Sequence, residues 1–220
     1  MTIDPWALYR AALDDALRNA AAADGLSHAE LVRQQLEADA GEDSLPALLC
    51  LRLGQVLCGN PSAALAPSTA LALLTQMARV FLGLESQGGA PSLSTAWGMP
   101  RVLNAGDAFY ALAQDALLLL DDEIPAAERL RALDTFDGAV RGYVEALHAA
   151  PGENQLAAGQ QALLPAAVTL AGIYAGADGV TMAELRRLGE SLGDADAGSL
   201  EADLLELTKT LAAKPAPPRG

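Results

Sequence analysis

The sequence predicts an all-α fold, a multilayer bundle of helices forming one domain, and three features predict it. Hydrophobic residues make up 51% of the chain and charged residues 19%, below the roughly 25% of ordinary soluble domains. Several helices must therefore be apolar on most sides and lie inside. The Ala- and Leu-rich segments carry apolar residues at helical spacing, punctuated by Gly, Pro and short acidic residues of the kind that start and stop helices. At 220 residues the chain also suits a single core, burying roughly 70% of the surface that its unfolded form exposes.

Taken in order, Asp4 and Pro5 form an N-cap and N1 pair. They open a helix with Trp6, Leu13 and Leu17 on one stripe, ending near Asp24 and Gly25. Ser27 to Glu30 reads as a capping box for a second helix reaching about Ala38. After a linker at 41–44 comes a strongly apolar helix over 46–57, closed by Gly59, Asn60 and Pro61. The next begins at Pro67 or Ser68 and runs to about Leu84, and loop and irregular chain lead on to Gly98. A long apolar helix follows over 100–120. Asp121, Asp122 and Glu123 have the charge density of a metal site, but they precede Pro125 at a helix start, where acidic residues act as caps. The helix over 126–149 is predicted to turn Leu130, Leu133, Val140, Val144 and Leu147 inward, with Gly138 and Gly142 permitting a close neighbour. Three more helices are predicted over 153–174, 181–192 and 199–211. One domain thus spans 1–212, and the Pro-rich tail at 213–220 is expected to be disordered.

Charge and cysteine usage exclude several roles. The net charge is −14, so nucleic acid and anionic membranes are poor partners. Cys50 and Cys58 lie eight apart on one predicted helix. The rise of about 12 Å exceeds the roughly 7 Å limit for a disulfide, so both are expected to be reduced core residues of a cytoplasmic protein. Only two histidines, His28 and His148, are present, and neither sits in a ligand-like motif. The N-terminus lacks the basic and apolar regions of a signal peptide. The longest apolar run, 163–177, is shorter than the roughly 20 residues that span a bilayer.

The centre of the chain, 71–120, carries a phrase of greater specificity. Behind a linker containing Gly88, Gly89 and Pro91 stand Trp97 and Gly98, then Asn104, Ala105, Gly106 and Asp107. This phrase resembles the trans-isoprenyl diphosphate synthases, all-helical prenyltransferases in which a DDxxD helix and an RRGxPTxH loop precede a helix opening with G and NxGD. The resemblance implies an isoprenoid-synthase-like helical bundle, shortened at its C-terminus.

In the frame set by that phrase, the family's first aspartate motif falls on Ala78, Arg79 and Leu82, its loop arginines on Gln87 and Gly88, and its loop histidine on Ser94. Its basic segment for the homoallylic diphosphate corresponds to Gly41 through Pro46, with Glu42 and Asp43 where a lysine is expected. The family's Lys-Thr pair falls on Gly159 and Gln160, or on Gln160 and Gln161. Of the second aspartate motif, Asp203 and Glu206 remain while its first position is Ala202. Magnesium needs oxygen ligands to neutralise a diphosphate leaving group. Ala78 and Leu82 offer none, Arg79 is cationic, and Glu42 and Asp43 repel phosphate.

The resemblance therefore implies a protein without catalytic residues, metal or cofactor. The leading expectation is a cytoplasmic, dimerising regulatory or structural subunit of isoprenoid biosynthesis, paired with itself or with an active prenyl synthase. Phe109, Tyr110 and Leu112 of the long central helix are its candidate interface anchors. One alternative is an apolar-cavity binder of a prenyl or other lipid chain. The other is a residually active prenyltransferase using Asp203 and Glu206.

Overall fold

The structure, a computed structural model, describes residues 6–22, 29–39, 44–85, 97–118, 124–150 and 152–193. Among the described residues there are eight α-helices and no strand. They are α1 (Ala7–Ala21), α2 (Ala29–Ala38), α3 (Leu45–Cys58), α4 (Leu65–Glu85), α5 (Met99–Leu118), α6 (Ala126–Ala149), α7 (Gln155–Tyr174) and α8 (Gly179–Gly193). Short 3-10 turns at Pro61–Ala64 and Gly152–Asn154 precede α4 and α7.

The interior layer is α3, α4 and α7, the helices with the fewest charges. Helix α4 touches α1, α2, α3, α5 and α7, while α7 touches α3, α4, α6 and α8. The segments Pro61–Leu84 and Gln155–Tyr174 are long and apolar enough to cross a membrane, but 72% and 56% of their apolar windows are buried inside this bundle. Their hydroxyls are accommodated by bonding backward along the helix: Ser68 Oγ donates to Ala64 O at 2.6 Å and Thr75 Oγ1 to Leu71 O at 3.1 Å.

The local signals act where the chain needs them. Gly59 closes α3 in the left-handed region at φ 76°, its N–H reaching Gln55 O at 2.8 Å. Asn60 then caps the following turn through Ser62 N at 3.0 Å. Asp178 Oδ1 accepts from Thr181 N at 2.7 Å and starts α8. Pro125 is the N-cap of α6 rather than its first helical residue. Asp4 and Pro5, the capping-box Ser27, the acidic residues 121–123 and the helix expected at 199–211 lie outside the described residues.

Two readings of α6 are corrected. Its buried face is Ala132, Phe136, Ala139, Tyr143 and Leu147, whereas Leu130 and Val144 are 68% and 37% exposed. Leu130 sits roughly a third of a turn from Phe136, so the aromatic residues, not the leucines alone, set the stripe. Gly138 and Gly142 admit no close neighbour, since an added Cβ would meet nothing nearer than the Arg141 side chain at 3.8 Å. The close approaches use other glycines. A Cβ at Gly189 would come within 2.8 Å of Pro165 Cα, and one at Gly159 within 2.4 Å of the Tyr143 ring.

Both cysteines are free. Cys50 is in the core, while Cys58 is half-buried with its thiol 3.2 Å from Gly54 O. Burial pushes the Cys50 thiol up to about 12 and raises the Tyr143 and Tyr174 phenols. Each of these groups keeps its proton in the fold after the unfolded chain has lost it. The unfolded state then binds fewer protons, and stability falls as pH rises. The decline is expected to begin near pH 9 and to steepen above pH 10, the ordinary thiol and phenol values. Each group contributes at most about 1.4 kcal/mol per pH unit. Urea midpoints should decrease from pH 9 to 11, and a flat profile over that range would contradict this burial.

Candidate functional site

Helices α5 and α6 meet at their middles. The rings of Tyr110 and Phe136 stack with centroids 6.5 Å apart and planes 17° from parallel, and Gln114 Nε2 donates to Tyr110 Oη at 2.9 Å. Burial first, and then the negative charge of Asp137, raises the Tyr110 phenol. Towards the N-terminus of α5 and the C-terminus of α6 the contact gives way to a groove of about 550 Å³ whose floor is the C-terminal half of α4. Met77, Ala78, Phe81 and Leu82 form the floor, and Leu103 and Val144 stand on the two walls. His148 and Gln155 are the polar residues of its lining.

The motif positions of α4 do not converge on one point. Ala78 and Leu82, four apart, share the face that lines the groove. Arg79 turns away: its Nη1 lies 3.3 Å from Asp39 Oδ2, with only 11% of its side chain exposed. Asp39 also accepts from Gln35 Nε2 at 2.6 Å, so this pair ties α4 to the end of α2. On the same side Thr75, Gln76 and Arg79 line a cavity of about 40 Å³ with Arg10 and Asp14 of α1. That is room for one or two waters, not for a diphosphate.

A magnesium cluster does not fit these residues. Alanine and leucine supply no oxygen, the guanidinium of Arg79 repels a cation, and among the described residues no group of three His, Cys, Asp or Glu side chains is placed to hold a metal. Glu42, Asp43, Gln87, Gly88, Ser94, Asp203 and Glu206 lie outside the described residues. Gly159 is packed beneath the Tyr143 ring, and Gln160 and Gln161 are half-buried on α7.

The interface candidates lie mostly inside the single chain. Phe109 and Leu112 are 0% and 4% exposed in the single chain, and Tyr110 is spent on its contact with α6. Phe109 and Leu112 have almost no surface left to bury against a partner, while Tyr110 is half-buried. Gly106, in the phrase that carried the resemblance, sits under Phe81: an added Cβ would fall 2.4 Å from that ring. It is the small residue that lets α5 close on α4. The groove walls were missed because Val144 had been placed inward. The available signal was His148, four residues beyond Val144 and so on the same helical face.

The sequence matches no protein-family model and no curated protein. Solved structures do match. The fold superimposes on geranylgeranyl pyrophosphate synthetase from Pyrococcus horikoshii with a TM-score of 0.65 and 16% identity, covering 93% of this chain and 82% of that one. The geranylgeranyl pyrophosphate synthetase of the archaeon Geoglobus acetivorans gives 0.66 and 16%, covering 95% and 87%. A polyprenyl synthetase from Streptomyces coelicolor gives 0.65 and 18%, covering 84% of this chain but 61% of its own. A bundle centred on α3, α4 and α7, with its motif helix flooring a groove, is thus the isoprenoid-synthase fold of the trans-prenyl diphosphate synthases.

Proposed function

We propose that this chain is a catalytically silent protein of the isoprenoid-synthase fold that acts in the cytoplasm as a regulatory or structural subunit, docking through α5 on a partner of the same fold. The observation that carries the reading is the fate of the α4 motif: Ala78 and Leu82 are apolar groove floor, and Arg79 is ion-paired to Asp39. Helix α5 supports the docking role, because Met99, Leu103 and Leu118 leave 49%, 44% and 49% of their surface exposed. Asp107 and Asp115 lie on the outward face that ends at Leu118. Two copies carrying −14 each would set like charges against one another across such a contact, which disfavours it. An unlike partner with basic residues on its facing helix avoids that cost, so charge favours such a partner over a second copy.

Size-exclusion chromatography with light scattering tests this on the chain alone and on the chain co-expressed with an intact prenyl diphosphate synthase. A monomer alone and a stable complex on co-expression are expected. A monomer in both cases would refute the subunit role, and a tight homodimer would refute the preference for an unlike partner.

A further inference from the structure

We infer that the cavity between α1, α3 and α4 is a water site, holding two ordered waters anchored on Oε1 of Gln76 that complete the polar part of the junction between α1 and α4. Gln76 lines this cavity and is 7% exposed, and its Oε1 is buried with no hydrogen-bond partner. A buried amide oxygen without a donor is costly, and such atoms in folded proteins are nearly always satisfied by protein or by water. Exchanging the oxygen and nitrogen of the amide does not remove the need, since it puts a buried donor where the acceptor stood.

The protein groups around Gln76 do not supply that donor. Ser44 stands at the N-cap of α3, where a serine usually bonds the helix N–H groups, yet it makes no cap bond and its Oγ lies 3.2 Å from Thr75 Oγ1. Thr75 Oγ1 donates to Leu71 O at 3.1 Å, so its proton is committed and Ser44 is the donor of the pair. Both hydroxyl protons of the cavity wall are thus used elsewhere. Asp14, also in the wall, only accepts when ionised. The guanidinium groups of Arg10 and Arg79 border the same space but do not bond Oε1.

Size and charge select water over other occupants. A water needs about 10–15 Å³ of such space and two to four polar partners, so the cavity's volume of about 40 Å³ admits two and excludes a larger solute. Arg10 and Arg79 are balanced by Asp14 and by Asp39, the ion-pair partner of Arg79, which leaves a small ion no advantage. A water here donates to Gln76 Oε1 and to Asp14 and accepts from the guanidinium side. The site is independent of the subunit role, because α5 takes no part in it.

Water–protein nuclear Overhauser spectra of the full chain provide the test. The methyl groups of Leu48 and Ala72 line the cavity at residues 2% and 3% exposed, out of reach of bulk solvent. Both should show cross-peaks at the water frequency with the sign of a long-held water. Gln76→Met keeps the length of the side chain without its acceptor and should abolish both cross-peaks. The hydroxyls of Ser44 and Thr75 remain in that variant, so a signal relayed through them would persist. The urea midpoint of Gln76→Met should be unchanged or lower, whereas a dry cavity would be relieved of an unpartnered oxygen and the midpoint would rise. Cross-peaks missing from the unmodified chain, cross-peaks that persist in Gln76→Met, or a raised midpoint would each overturn the inference.

Discussion

Incubated with an allylic diphosphate, a homoallylic diphosphate and magnesium, the purified chain is expected to form no elongated product above a protein-free control. Losing one preorganised electrostatic contact costs an enzyme about 10²–10³ in rate, and in the frame of the resemblance the residues at the first metal motif, the loop arginines and the basic diphosphate segment are all replaced. Such losses are far from additive, yet even two independent ones lower turnover by roughly 10⁵. Ala78→Asp, Arg79→Asp and Leu82→Asp combined should not restore activity. Ala78 is 1% exposed among apolar neighbours, where a carboxylate has no counter-charge and is driven to its neutral form. Arg79→Asp also sets a second carboxylate against Asp39. Scintillation counting of extracted radiolabelled product reads the result, and labelled product from the unmodified chain would show that carboxylates elsewhere assemble a metal cluster.

How much could be read beforehand differed between backbone and side chains. Helices α3, α5, α6 and α8 began and ended within about two residues of expectation, because Gly59, Asp178 and the runs between them act locally. The phrase around Gly106 pointed to the fold because close packing of α5 on Phe81 restricts that position to a small residue. Which face of a helix is buried was harder. On α6 the pattern turns Leu130 and Val144 inward and passes over Phe136 and Tyr143, and only the position of α7 decides which are buried. The groove was legible only in the spacing of Val144 and His148, since it arises where the consecutive helices α5 and α6 part above α4, which no local pattern encodes. The ion-pair partner of Arg79, Asp39, lies forty residues away, and no local spacing announces it.

The same separation of core from surface makes α5 the sharpest place to test the assembly. Phe109→Ala is expected to cost about 3–5 kcal/mol of unfolding free energy, a large share of the 5–15 kcal/mol that holds a typical domain together. The ring is 0% exposed in the single chain, so truncating it leaves a cavity inside the chain and removes nothing from an interface. Leu118→Asp, on the outward face and 49% exposed, should change stability by less than about 0.5 kcal/mol and yet weaken the co-expressed complex by adding a carboxylate to the docking face. Urea denaturation and light scattering on the two variants separate these effects. The opposite pattern, with a stable Phe109→Ala chain that no longer associates and a Leu118→Asp chain that does, would place the docking surface on the other side of α5.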